Sequence, residues 1–177
     1  DEPYLQGEHS GISDSEVANR MTNAVNALRN YDSAHGLDTD VWVIFAYRKV
    51  QGATFRGLFD VIGFDKYHDW NDVQDRSDWL ISVLAPGQKM LMVPQAFVEL
   101  KDNVPWDSVS EVKQWLYNYY DYACNHDKVV ALIPFVWENV SYDFAGDTTY
   151  LRGAKYISQD HPDFLEALLD IGIPALG

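Results

Sequence analysis

Four short apolar runs, at about 41–46, 59–64, 89–93 and 129–134, constrain the fold of this chain more than any other feature in it. Val41-Trp42-Val43-Ile44-Phe45-Ala46 is unbroken, and Phe59 to Phe64 is interrupted only by Asp60 and Gly63. Met90-Leu91-Met92-Val93 and Val129-Val130-Ala131-Leu132-Ile133 complete the set. A strand with one wet face alternates apolar and polar side chains, so a continuous run predicts a strand covered on both faces, as in a parallel sheet. The segments around the runs have helical spacing. Ser13-x-x-Glu16 has the form of a capping box and opens a helix from Asp14 to about Ala34, with Val17, Met21, Ala24, Val25 and Leu28 on one face and Gly36 as its C-cap. Val73, Arg76, Trp79, Leu80, Val83 and Leu84 mark a second helix, which Pro86-Gly87 terminates. Ser108-x-x-Glu111 opens a third, with Val109, Val112, Leu116, Tyr119, Tyr120 and Ala123 inward. Phe164, Leu165, Leu168 and Leu169 predict a closing helix from Asp160. Strands alternating with helices define the α/β class, here with all four strands parallel and in sequential order.

The stretch from Arg48 to Phe59 leaves room for no more than a turn or two of helix. The residues from Asn139 to Gln159, rich in Asp, Thr, Tyr and Gly, are expected to form a long loop over the strand ends. With 177 residues, 47% of them hydrophobic, the chain can bury one substantial core, and residues 1–177 are treated as a single domain.

Charge and cysteine usage narrow the function. A formal net charge of −14, with 13 Lys and Arg scattered along the chain, disfavours a nucleic-acid partner. No apolar run is long enough for a membrane span, so the chain is expected to be soluble. A single cysteine, Cys124, excludes an internal disulfide and is expected to be buried and inert. No Cys/His cluster has zinc spacing, and neither a metal nor a cofactor is expected. Asp69, Asp72, Asp75 and Asp78 gather at a helix start, which negative charge favours without any cation. His35, His126 and His161 are assigned to helix ends. No strand leads into a glycine-rich phosphate loop, so a nucleotide-binding sheet loses its usual support.

Each apolar run ends in polar or aromatic residues: Tyr47-Arg48, Asp65-Lys66-Tyr67-His68, Gln95-Ala96-Phe97 and Trp137-Glu138-Asn139. In a parallel sheet these ends lie together, the arrangement of barrel enzymes. Aromatic content is 14%, with six Trp and eleven Tyr, and exposed rings suit the apolar faces of sugars. The order Asp1-Glu2-Pro3-Tyr4, Phe64-Asp65-Lys66-Tyr67, Val93-Pro94-Gln95-Ala96-Phe97 and Phe135-Val136-Trp137-Glu138-Asn139 resembles strands four to eight of the glycosidase-superfamily (β/α)8 barrels. The resemblance covers nearly the whole chain and is to a superfamily pattern, with no individual family identified. It implies the C-terminal half of a TIM-type barrel, from the end of strand four through helix eight, and a glycoside hydrolase acting on an oligo- or polysaccharide.

The resemblance places Glu2 as the general acid/base, because a glycosidic oxygen leaves readily only if protonated as its bond breaks. Where many retaining relatives of that pattern carry a nucleophile, this sequence has Gln95. Asp65 and Glu138 are then the candidate second carboxylates, and a substrate-assisted route through an N-acetyl group is the third option. Tyr4, Tyr47, Tyr67, Gln95, Phe97, Trp137 and Asn139 are candidate substrate contacts, together with Arg48 for an anionic sugar and His68 for a hydroxyl. Each also has an ordinary structural reading, as barrel packing or charge neutralisation. The alternative function is a carbohydrate-binding or assembly module without turnover. Four strands cannot close a barrel, so an N-terminal half-barrel or a second copy of the chain is the expected partner. Acidic composition with one cysteine also fits an extracellular or cell-surface enzyme.

Overall fold

The computed structural model describes residues 11–54, 56–101, 104–135, 139–144 and 147–171. Helix α1 (Asp14–His35) is capped by Ser13, whose side chain accepts from the Glu16 N–H, and ends at Gly36 in the left-handed conformation, φ 66°. Strand β1 (Trp42–Ala46) follows, then turns and a single 3-10 turn at Arg56–Leu58, as the short spacing requires. Strand β2 (Val61–Asp65), helix α2 (Trp70–Val83) and strand β3 (Lys89–Met92) come next. Then come a hairpin of β4 (Phe97–Lys101) and β5 (Val104–Pro105), helix α3 (Val109–Cys124) and strand β6 (Val129–Leu132). Strands β7 (Val140–Phe144) and β8 (Asp147–Gly153) lead into helices α4 (Ala154–Asp160) and α5 (Pro162–Asp170).

The α/β expectation holds. Strands β1, β2, β3 and β6 form one four-stranded sheet in that order, every neighbouring pair parallel. Its two faces are packed differently. Val43, Phe45, Ile62, Phe64, Met90 and Met92 join Val17 and Val25 of α1, Val73 and Leu80 of α2, and Tyr119 and Tyr122 of α3 in the main core. The other face carries the smaller cluster Val61, Leu91 and Val93, bordered by Ile44, Tyr67 and Ala131. Gly63 lies where β2 and β3 approach closely, since a Cβ there would stand 2.9 Å from the Leu91 carbonyl oxygen and closer still to the Leu91 side chain.

The expected loop at 139–159 is corrected. Those residues hold β7, β8 and α4, and β5, β4, β8 and β7 form a second, antiparallel sheet in that order. Hydrogen bonding supplies the reason, because polar strands that pair with each other need no continuous apolar run. Its apolar side, with Ala96, Val98 and Leu100, packs on Val112 and Leu116 of α3 and on Ala154, Ile157, Phe164 and Leu168. The closing helix starts at Pro162, a residue suited to a first turn, and α4 is separate from it. Cys124 is exposed, contrary to the buried position expected, because it lies at the last turn of α3 beside the open edge of β6. Among the described residues no helix is long and apolar enough to cross a membrane.

Candidate active site

The parallel sheet brings the ends of its strands to one edge. Asp65 and Val93 form a parallel bridge, as do Gln95 and Phe135, extending the pairing beyond β3 and β6. The Ile133 N–H donates to the Met92 carbonyl at 2.9 Å, and the Phe135 N–H donates to the Pro94 carbonyl at 2.9 Å. A cavity of about 270 Å³ opens there, lined by Ile44, Asp65, Tyr67, Val93, Ile133, Pro134 and Phe135. The rings of Tyr67 and Phe135 stack at 5.8 Å, and Phe97 meets Tyr67 edge-on at 5.1 Å. One carboxylate, two aromatic rings and an aliphatic floor give this cavity both an acid/base group and apolar surface.

Behind Tyr67 lies a hydrogen-bonded cluster. His68 Nδ1 is 2.7 Å from Asp107 Oδ2 and its Nε2 is 2.9 Å from Glu99 Oε2, so each ring nitrogen faces a carboxylate. The His68 N–H donates to Gln95 Oε1 at 2.9 Å, while Gln95 Nε2 donates to Asp107 Oδ2 at 2.8 Å and to the Phe97 carbonyl at 3.0 Å. Those three contacts fix which way the Gln95 amide points. Tyr67, Phe97, Trp106 and Trp115 surround the imidazole, with ring centres 6.0–6.5 Å away. His68 has φ 66°, the one positive value outside glycine among the described residues. Histidine tolerates that conformation better than a branched residue, and the cluster offsets its cost of about 1–3 kcal/mol.

Tyr119 braces the strand end from α3, its hydroxyl donating to the Lys66 carbonyl at 3.0 Å. Burial, and secondarily the negative charge of Asp65, push its phenol well above the ordinary tyrosine range, so it remains a donor.

The candidate residues read from the sequence therefore separate. Asp65 and Tyr67 line the cavity. Gln95 and Phe97 are 1% and 2% exposed, and the Gln95 amide is spent on protein partners. His68 belongs to the supporting cluster. Tyr47 packs against the main core, with the Arg76 guanidinium 4.3 Å from its ring centre. Arg48, next to it, is exposed. Asn139 Oδ1 accepts from the Gly153 N–H at 3.0 Å and so pins the start of β7 to the end of β8. Glu2, Tyr4, Trp137 and Glu138 lie outside the described residues.

Glu99, Trp106, Asp107, Trp115 and Tyr119 were not singled out as site residues in the sequence. The capping box at Ser108 did mark Asp107 as the residue before a helix. Only the hairpin turns Glu99 and Asp107 toward His68. Among the described residues no group of three or more His, Cys, Asp or Glu side chains could hold a metal ion. Comparison with known proteins finds no matching family model, no matching curated protein and no matching solved structure.

Proposed function

We propose that this chain forms the C-terminal half of a (β/α)8 barrel that hydrolyses a glycosidic bond in an oligo- or polysaccharide outside the cell or at its surface. The observation that carries the reading is the cavity at the strand ends, where Asp65, Tyr67 and Phe135 meet. In the proposed mechanism Glu2 protonates the departing sugar oxygen. Asp65 then acts on the reacting sugar, as nucleophile, as base for water, or as the group that orients a substrate N-acetyl; Glu138 is the other candidate for that role. Tyr67 and Trp137 shape the subsite. The other half of the barrel is supplied by an N-terminal half or a second copy of the chain. Trp42 on β1 and Val130 on β6, 47% and 49% exposed, are apolar surface that such a partner would cover.

The decisive comparison uses the complete barrel and two substrates. Glu2→Gln is expected to slow turnover of a substrate with a poor leaving group by about 10²–10⁴-fold, and to slow bond cleavage in an activated aryl glycoside far less. Asp65→Asn is expected to depress both. A rate on the poor substrate within a few-fold of the parent sinks the Glu2 assignment. The second reading, a carbohydrate-binding or assembly module, is favoured by Gln95, whose buried amide occupies the strand end where a nucleophile would stand. Binding without turnover by the complete barrel selects it.

A further inference from the structure

A neutral imidazole has one N–H and a protonated one has two, and the surroundings of His68 call for two. Asp107 Oδ2 lies 2.7 Å from Nδ1, and Glu99 Oε2 lies 2.9 Å from Nε2. A neutral ring that keeps its hydrogen on Nδ1 turns the bare lone pair of Nε2 toward a carboxylate oxygen, and attraction becomes repulsion. One proton therefore separates a ring drawn to both carboxylates from a ring drawn to one.

Burial decides which contact depends on that proton. The Asp107 side chain is 5% exposed and also accepts from Gln95 Nε2 at 2.8 Å, so it stays bonded to Nδ1 in either state. The Glu99 side chain is 17% exposed, and among the described residues its carboxylate has no partner besides His68. Glu99 is the side that can turn to water.

The other titratable groups of the surrounding elements are committed elsewhere. Lys66, after β2, pairs with Asp72 at 3.3 Å, and Asp69 accepts from the Asp72 N–H as the cap of α2. Asp65 lines the strand-end cavity. From α3, the Tyr119 hydroxyl donates to the Lys66 carbonyl, and the Glu111 carboxylate is held by Ser108. Arg152 of β8 pairs with Asp160. Among the described residues no Lys or Arg pairs with Glu99 or Asp107, which leaves His68 as the cation available to both.

The Glu99 contact joins two parts of the fold, because His68 follows β2 of the parallel sheet and Glu99 lies in β4 of the antiparallel one. The Trp106 N–H donates to the Glu99 carbonyl at 2.8 Å, so a change at Glu99 reaches the far side of the hairpin. We infer that His68 and Glu99 form a proton-operated clamp between the two sheets, closed while the imidazole carries both N–H groups and open at Glu99 once Nε2 loses its hydrogen. With Glu99 ionised, a fall in pH across the histidine range closes the clamp and a rise opens it. The device belongs to the cluster itself and is independent of what the strand-end cavity binds.

Heteronuclear NMR of the full chain between about pH 5 and 8 tests it. The ring nitrogens of His68 are assigned by their loss in His68→Asn. The backbone amides of Glu99 and Trp106 report on the hairpin, with those of β1 as reference. Nδ1 is expected to keep its hydrogen throughout, and Nε2 to lose its own as pH rises. The Glu99 and Trp106 amides should shift with the same midpoint while the β1 amides stay in place. Glu99→Gln supplies an amide that donates to a bare Nε2 and accepts from a protonated one, so this variant should lose the coupled hairpin shift. The clamp is overturned if Nε2 is without hydrogen at every pH, or keeps it across the whole range. It is equally overturned if the hairpin amides hold still or follow a different midpoint, or if Glu99→Gln retains their shift in full. The titration of the parent chain is decisive on its own, so a variant that fails to fold leaves the test standing.

Discussion

The parallel and antiparallel sheets of this protein are built on different physical terms. The parallel sheet buries apolar side chains against three helices, and Phe45 and Ile62 within it are completely buried. The antiparallel sheet has one apolar side too, but its other side reaches the strand-end region through Glu99 and the adjoining Asp107, which bond to His68. The first is held by packing, which is non-directional and tolerates small shifts. The second is registered on the first by directional bonds among buried and half-buried polar groups, which fail if one partner is lost. Tyr67, which lines the strand-end cavity, immediately precedes His68 in the chain and so lies next to that bonded cluster.

The largest effect is expected in the parallel sheet, the region whose packing carries most of the stability. Phe45→Ala removes a fully buried ring from the main core and is expected to lower global stability by about 3–5 kcal/mol. Urea unfolding followed by circular dichroism measures it. A loss under about 1 kcal/mol, well short of the usual cost of an emptied aromatic site, would mean that this face is loosely packed.

Gln95→Leu should have a smaller and more local effect. It deletes the donor to Asp107 and the acceptor for the His68 N–H, stranding buried polar groups at about 1–3 kcal/mol. Amide hydrogen exchange is expected to quicken in β4 and β5 while β1 stays protected. Equal acceleration in both sheets would show that they open as one unit, and the distinction drawn between them would go.

The smallest effect falls at the junction of the two sheets, where Ser108, the residue after Asp107, caps α3. Ser108 accepts from the Glu111 N–H, and the Glu111 carboxylate accepts from the Ser108 N–H and hydroxyl. Ser108→Ala should cost about 1 kcal/mol, the usual worth of an N-cap. The Ser108 backbone N–H, and then its hydroxyl, hold the Glu111 carboxyl below the ordinary glutamate range. A carboxyl with a lowered folded-state pKa contributes its stability above the unfolded value and loses it as pH falls through the folded one. The cap should therefore weaken at acid pH, and Glu111→Gln should abolish that part of the pH dependence of the unfolding midpoint. An acid-side slope unchanged in Glu111→Gln would assign it to other carboxylates.

How far the sequence reached follows the same division. Continuous apolar runs and capping boxes are local signals, so they located the parallel strands, α1 and α3 to within a few residues. Those signals also placed Asp65 and Tyr67 at a strand end, which is where the cavity lies. The β4–β5 hairpin and the β7–β8 pair carry no such period. Their pairing, such as Glu99 with Leu151, joins residues far apart in the chain.

By itself, then, the sequence determined the α/β class, the parallel order and the strand end that carries Asp65 and Tyr67, because hydrophobic periodicity and helix capping act within a few residues. Only the tertiary structure decided that Gln95 is a buried strut and that His68 is clamped between Glu99 and Asp107. Each of those outcomes depends on which distant carbonyl, carboxylate or ring arrives alongside, and a hydrogen bond between residues 39 positions apart, such as that of His68 with Asp107, leaves no periodic trace in the chain.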